Sequence, residues 1–384
     1  MPDPSPHQAY VAEPNALERT AALYLQSQSR ADAFRLRALT ADEYRQIRRM
    51  ERQTLLWAAL AGVISGSVLG GIELTFVRNQ FDGLEELDWA DRWPYWTAVL
   101  SLAAAVSLVE IAFLYWNALR AMAALSAVTG LPLKGGNYRM LALRGLARTA
   151  LEFPNPRTPV YGIDPVALVP RWKFVAQNLL YRAKVGISSF LLRIVLRRVL
   201  VRTALRGLIP MLAGPLYAIW NAWITRRILR RAREQAFAPR AVEALMAEIA
   251  AARHHLGESA RRVMVEGVGE LLVRNQDAHP TYVYLLARLM ETLAPSDSRI
   301  TVDWPARLRE LEKLTPEEQS LVLWVLTVAS VLGGGLRRTQ RELLEQAHAA
   351  AGESFQPTRL TELRARLMRG ESLSAANARH ATIP

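Results

Sequence analysis

Residues 54–77 constrain this chain more than any other stretch, because they are apolar on every side of a helix. The stretch contains 24 residues and one charge, Glu73. As an α-helix it would be about 36 Å long, which exceeds the bilayer hydrocarbon thickness of about 30 Å. A surface helix of a soluble protein needs only one apolar face. Residues 54–77 are therefore predicted to form a transmembrane helix.

A second apolar stretch, residues 95–119, carries only Glu110 and is predicted to be a second span. The connection between the two, residues 78–94, has five acidic residues and two arginines. Arginines precede the first span and follow the second. Because cytoplasmic flanks carry the excess of Lys and Arg, the pattern predicts a hairpin with both termini in the cytoplasm and the acidic loop outside.

Residues 171–233 contain 14 Lys and Arg and no Asp or Glu. Such a run suits the anionic headgroups of a bilayer, where the aliphatic stems of arginine also cover apolar surface. Nucleic acid is the alternative partner for such a run. The sequence shows neither a pattern of stacking aromatic residues nor a DNA-recognition helix, so no nucleic-acid partner is predicted. The arginines predicted to face lipid are Arg193, Arg197, Arg198, Arg202, Arg206, Arg226, Arg227, Arg230 and Arg231.

Within this basic region, residues 207–225 are uncharged and contain Pro210, Gly214 and Pro215. A full crossing would place the arginines at 226–233 outside, against the positive-inside rule. A re-entrant segment or one lying on the membrane surface is therefore preferred. A third span and a buried helix of a soluble domain remain the alternatives.

Residues 237–384 differ in character, with 18 basic and 18 acidic residues after Glu234. Amphipathic helical patterns recur, and residues 321–332 are apolar but too short to span a bilayer. Thr315 and Glu318 have the spacing of a capping box, as do Thr40 and Glu43.

The chain is thus predicted to be all-α. Its predicted domains are a cytoplasmic N-terminal helical region (1–53), the transmembrane hairpin (54–119), a basic membrane-associated region (120–236) and a cytoplasmic helical bundle (237–384).

A strip of small residues marks the first predicted span, with Gly62, Gly66 and Gly70 on one face. Helices associate in lipid where their backbones approach closely. The strip is predicted to pack on the second span, near its small residues at 101–107. A contact between copies of the chain, giving a homo-oligomer, is the alternative.

The two carboxylates in the predicted spans, Glu73 and Glu110, are candidate functional groups because charge is costly in a membrane. Glu73 lies near the outer end of its helix. Glu110 lies deeper and must pair, face a wet cavity or stay protonated. It is predicted either to form structural hydrogen bonds or to take part in a proton or ion path.

No enzyme class is indicated by the remaining residues. The chain has no cysteine, which excludes disulfides and thiol chemistry. His254 and His255 lack a complete metal ligand set, and the glycines at 333–335 lack the Lys and Ser/Thr of a phosphate-binding loop. We therefore expect no catalytic residue, no bound metal and no cofactor.

Two short segments resemble known families. Residues 209–232, with Pro210, Gly214, Asn221 and Thr225, resemble the Pro/Gly segment and basic helix of EcsC-like bacterial membrane-associated proteins. Residues 321–352 resemble the second half of a TerB-like helical domain from tellurite-resistance proteins, with Gly333-Gly334 where that family has an acidic residue.

The resemblances imply a bacterial inner-membrane protein with a stress-linked role. The expected function is that of a membrane-anchored scaffold or interaction protein with an unknown protein partner. A transporter or channel subunit that uses Glu110 is the alternative, and a membrane-associated enzyme is the third.

Overall fold

The computed structural model describes most of the chain as helix. The described residues are 15–28, 38–72, 89–131, 137–167, 169–170, 172, 209–293, 300–334, 337–371 and 373. Within them the chain forms eleven α-helices and one short 3-10 helix, and the only β-type pairing is an isolated bridge between Val160 and Ile163. The all-α prediction is confirmed for this part of the chain.

Several predicted features lie outside the described residues. They are Glu73, the connection from 78 to 88, Arg193, Arg197, Arg198, Arg202 and Arg206.

The α-helices are numbered here in chain order. They are α1 Ala16–Gln28, α2 Ala41–Ile72, α3 Trp89–Thr129, α4 Asn137–Ala150, α5 Ile209–Ala252, α6 Glu258–Asn275, α7 Pro280–Leu293, α8 Trp304–Leu311, α9 Pro316–Leu332, α10 Arg338–Ala350 and α11 Pro357–Arg369.

The chain divides into two compact units. The first combines residues 1–47, 123–176 and 231–384, and the second combines residues 48–122 and 177–230. These limits cut across the predicted region 120–236, because residues 123–176 group with the C-terminal helices. The limits also fall within α2, α3 and α5, so each of these helices contributes residues to both units.

Two helices are long and apolar enough to cross a membrane, α2 and the Leu100–Thr129 part of α3. Only 28% and 22% of their most apolar windows are buried inside the structure. A core helix of a soluble protein would instead be mostly buried. Both helices therefore leave most of their apolar windows exposed.

Helix α2 begins at the predicted capping box. The Glu43 side chain accepts a hydrogen bond from the backbone N–H of Thr40 at 2.9 Å, and the Glu43 N–H donates to Thr40 Oγ1 at 3.3 Å. The box thus satisfies two backbone N–H groups at the start of the helix, which confirms this cap. The helix then continues through the arginines at 45–52 into the apolar stretch without a break.

In the first unit, α6 and α9 are the most enclosed helices. Helix α6 packs against α7, α8, α9 and α10, while α9 packs against α6, α7, α10 and α11. All residues of α9 from 322 to 332 are buried. Helix α1 packs on α4, which in turn packs on α7.

The capping box of α9 offers a stability test. Thr315 caps the helix and Glu318 closes the box, as predicted, so Thr315→Ala is expected to lower the free energy of unfolding by about 1 kcal/mol. Thr339→Ala, at an exposed position of α10, is the control and should change it by less than about 0.5 kcal/mol. Chemical denaturation followed by circular dichroism measures both. Equal effects of the two substitutions would contradict the assigned cap.

Candidate functional site

A buried carboxylate–amide contact joins three helices of the second unit. Asn221 Nδ2 on α5 donates to Glu110 Oε1 on α3 at 2.6 Å and to the backbone carbonyl of Ala58 on α2 at 3.3 Å. Glu110 is 4% exposed and Asn221 is 1% exposed. The predicted deep carboxylate is therefore held by a side chain from the segment at 207–225.

A second asparagine makes a similar bond one helical turn away. Asn117 Nδ2 on α3 donates to the backbone carbonyl of Thr54 on α2 at 2.9 Å. Two asparagines from different helices thus bind consecutive turns of α2. Interhelical bonds of this kind hold helices together in lipid, where water offers no competing partner.

The glycine strip of α2 lies on the buried side of its helix, as Gly62, Gly66 and Gly70 are all buried. A Cβ added at Gly62 would lie 2.5 Å from the backbone C and O of Tyr217. The close approach at Gly62 is therefore to α5, whereas the strip was expected to face the second span. The physical reason is that α5 also offers a small residue here, Gly214, whose added Cβ would lie 3.4 Å from the Val63 carbonyl oxygen.

The hydroxyl groups beside these contacts bond to their own helices. Ser107 Oγ donates to the Ala103 carbonyl at 2.8 Å, and Thr54 Oγ1 donates to the Met50 carbonyl at 2.8 Å. Both side chains are buried. Among the described residues, the core of the second unit therefore combines the Glu110 carboxylate, two asparagine amides and backbone-bonded hydroxyls.

The hydrogen bonds of this core connect α2, α3 and α5. Among the described residues, no group of three His, Asp or Glu side chains could hold a metal ion. His254 and His255 are exposed in the short 3-10 helix Arg253–His255 that follows α5. Glu110 and Asn221 are therefore the candidate functional pair of the second unit.

Four of the predicted lipid-facing arginines lie in the described part of α5, and all four are exposed. Arg226, Arg227 and Arg230 follow the buried part of α5 in the second unit, and Arg231 begins its continuation in the first unit. Sequence reasoning treated these arginines as part of one diffuse basic run. It missed Asn221 and Asn117 as interhelical donors, although an amide within an otherwise apolar segment was a usable signal.

A second polar cluster lies in the first unit, around Tyr282. The Tyr282 hydroxyl accepts a hydrogen bond from Gln340 Nε2 at 2.9 Å, and the His279 ring lies edge-on to it with 5.9 Å between ring centres. Burial raises the pKa of Tyr282 and lowers the pKa of His279. The negative charges of Asp277 and Glu234 partly offset the lowering at His279. Both side chains are therefore held in their neutral forms. A Cβ at Gly333 would lie 1.9 Å from the Tyr282 hydroxyl, so the glycine makes room for this ring.

Two histidines make the stability of the protein dependent on pH. Burial lowers the pKa of His279, and it also lowers the pKa of His348, where Glu353 opposes the effect. Below about pH 6.5 the two histidines bind protons more readily in the unfolded chain than in the folded protein. The free energy of unfolding must therefore fall as the pH is lowered. Each histidine contributes at most about 1.4 kcal/mol per pH unit in that window.

The melting temperature of the full chain, measured between about pH 7 and pH 5, tests this sign. We expect it to decrease, and to decrease less in His279→Phe, which keeps the ring contact with Tyr282. A melting temperature that rises on acidification, or an unchanged slope in the variant, would contradict the assignment.

Comparison with known proteins gives no match. No protein-family model, no curated protein and no solved structure is significantly similar to this chain. The EcsC-like and TerB-like resemblances therefore stay predictions. Of the positions that carry the first one, Gly214, Asn221 and Thr225 are buried in the second unit.

Proposed function

We propose that this protein is a membrane-anchored scaffold or interaction protein of the bacterial inner membrane. In this proposal α2, α3 and the first part of α5 enter the bilayer, and the helices of the first unit form the cytoplasmic domain. The observation that carries the proposal is the inverted polarity of the second unit. Seven polar side chains of its described part are buried between the helices, and large apolar side chains on all three helices are exposed.

The exposed apolar side chains occur on all three helices of the second unit. The most exposed are Leu56 and Ile64 on α2, Leu108 and Val109 on α3, and Ile219 on α5, with exposed fractions from 57% to 70%. The buried polar side chains are Thr54, Ser65, Ser107, Glu110, Asn117, Asn221 and Thr225. In water this surface would be an extended apolar patch, whereas in hydrocarbon it is the expected surface of a helix assembly.

Helix α5 is proposed to enter the bilayer rather than lie on its surface. Its contacts with α2 run antiparallel, from Asn221 beside Ala58 to Gly214 beside Ser67. On α2 those contacts extend from Ala58 to Ser67, about 14 Å along the helix axis. A helix lying in the membrane plane could not follow a crossing helix over that length.

The proposed orientation places the acidic connection outside and the C-terminal helices in the cytoplasm. Because the natural chain has no cysteine, single cysteines at Glu86 and at the exposed Ser259 can be labelled without background. In intact cells, a membrane-impermeant thiol reagent should label Glu86→Cys, and Ser259→Cys should react only after the cells are opened. Alkaline carbonate should leave the protein in the membrane pellet. Release by carbonate would contradict the anchor, and the opposite labelling pattern would contradict the orientation.

A transporter or channel subunit is the second candidate, and the burial of Glu110 favours it. A carboxylate in a proposed membrane core marks a proton or ion path in many transport proteins. Proton flux into liposomes containing the purified protein tests this function. Flux that is lost in Glu110→Gln, a variant that keeps the acceptor oxygen for Asn221, would support the transporter. The absence of flux in the wild-type protein would contradict proton transport.

A further inference from the structure

One tryptophan and one arginine are paired on each of the three helices of the second unit. Trp57, Trp116 and Trp223 are 50%, 46% and 53% exposed, respectively. Arg52, Arg120 and Arg226 lie three to five residues from these tryptophans, and all three are exposed. We name these six residues, two from each of α2, α3 and α5, the Arg–Trp collar.

The helix directions bring the three arginines to the same end of the unit. Helix α5 runs antiparallel to α2, as the Asn221–Ala58 and Gly214–Ser67 contacts require. Helix α3 also runs antiparallel to α2, because Asn117 bonds to Thr54 while Glu110 lies at Asn221, beside Ala58. The arginine precedes the tryptophan on α2 and follows it on α3 and α5. On every helix the arginine is therefore about 4 to 8 Å nearer to the same end.

The order of these side chains matches the layers of a membrane surface. Indole rings favour the headgroup level, and arginine side chains extend from there toward water. On α3 the Arg120 guanidinium lies over the Trp116 ring, 5.7 Å from its centre. Such a cation–π contact orients the guanidinium and leaves its N–H groups free to bind an anion.

The guanidinium charges of the collar arginines are not neutralised within the described residues. Within the part of the chain that the structure describes, Arg52, Arg120 and Arg226 form no ion pair with an acidic side chain. Exposed apolar side chains lie on the same helices, such as Leu56 one turn after Arg52 and Ile219 about two turns before Arg226. An anion bound at the collar would therefore have hydrocarbon on one side and water on the other. A phospholipid headgroup meets both conditions.

We propose that the Arg–Trp collar binds the headgroups of anionic phospholipids in the leaflet at this end of the second unit. The guanidinium groups donate hydrogen bonds to phosphate oxygens, and the indoles pack against the glycerol level of the same lipids. The inference rests on the proposed membrane insertion and adds a lipid class and six residues to it. The cytoplasmic leaflet is the side that the proposed orientation assigns to the collar.

The test uses the full chain in nanodiscs of phosphatidylcholine and phosphatidylglycerol, with bound lipids counted by native mass spectrometry. The collar variant is Arg52→Gln/Arg120→Gln/Arg226→Gln. The control is Arg309→Gln/Arg338→Gln/Arg341→Gln, which removes three exposed arginines of the first unit. Each triple substitution lowers the formal net charge from +13 to +10, by 13 − 3 = 10. The two variants therefore differ in the position of the lost charge and not in its amount.

We expect the wild-type protein and the control to retain phosphatidylglycerol in preference to phosphatidylcholine. Each arginine near an anionic surface strengthens binding about fivefold, so the collar variant should lose about 100-fold of this preference if the contributions add. Equal preference in the collar variant and the wild type would overturn the proposal, as would equal losses in the two variants. Carbonate extraction of the same proteins separates the two inferences. A wild-type chain that resists extraction but shows no lipid preference refutes the collar alone, whereas release by carbonate refutes the membrane anchor.

Discussion

Replacing Gly62 with alanine is expected to lower the free energy of unfolding of the second unit by about 2 kcal/mol or more. The added Cβ would lie 2.5 Å from the backbone C and O of Tyr217 and 2.6 Å from the backbone N of Ala218. Backbone atoms within a helix cannot rotate away as a side chain can. Helices α2 and α5 must therefore separate, and the Asn221 bonds one turn away should lengthen as well. Thermal unfolding in detergent, followed by circular dichroism, measures the effect.

Gly71→Ala is the matched control, on the same helix and in the same chemical environment. A Cβ at Gly71 has no neighbouring atom within 4 Å. The substitution should therefore show only the gain in helix propensity, about 1 kcal/mol at most. The two glycine variants are thus expected to change stability in opposite directions. A neutral or stabilising Gly62→Ala would contradict the close approach of α5 to α2.

Glu110→Ala is expected to cost about 2 kcal/mol, because it removes the acceptor of the Asn221 amide and leaves a small cavity. Glu110→Gln keeps an oxygen at the acceptor position, so it should cost less than about 1 kcal/mol. Ser107→Ala, one turn earlier on α3, is the control. Its hydroxyl bonds only to the Ala103 carbonyl of its own helix, so its loss should have little effect on contacts between helices.

A double-mutant cycle isolates the contact itself. Glu110→Ala and Asn221→Ala should be non-additive, with a coupling energy of about 1 kcal/mol, the range found for interhelical bonds in membranes. Additive effects would show that the two side chains do not depend on each other. Such a result would remove Glu110 from the polar core and leave the transporter alternative without its structural basis.

Local sequence signals were sufficient for the ends of several helices and for the helical class. The capping boxes at Thr40 and Thr315 were predictable because each depends on residues only three positions apart. The two long apolar helices were predictable because length and composition decide whether a helix can span a bilayer. Features that depend only on neighbouring residues can be predicted without knowing how the rest of the chain folds.

The contacts between distant segments were not predictable in the same way. The spacing of Gly62, Gly66 and Gly70 defines a face of α2, but helical periodicity does not identify the helix that covers it. The pairing of Asn221 with Glu110 joins residues 111 positions apart. The change in composition near Phe237 was taken as a domain limit, yet α5 runs through this point from Ile209 to Ala252 and includes Pro239.

The central claim is that the exposed apolar faces of α2, α3 and α5 contact hydrocarbon, and spin-label accessibility tests it most directly. Single cysteines at Ile64, Leu108 and Ile219, one on each helix, would carry a nitroxide in the full chain reconstituted into liposomes. We predict that at all three positions the label collides more often with oxygen, which concentrates in lipid, than with a water-soluble nickel chelate. Higher accessibility to the chelate at Ile64 and Leu108 would contradict the membrane anchor. The same result at Ile219 alone would contradict the insertion of α5.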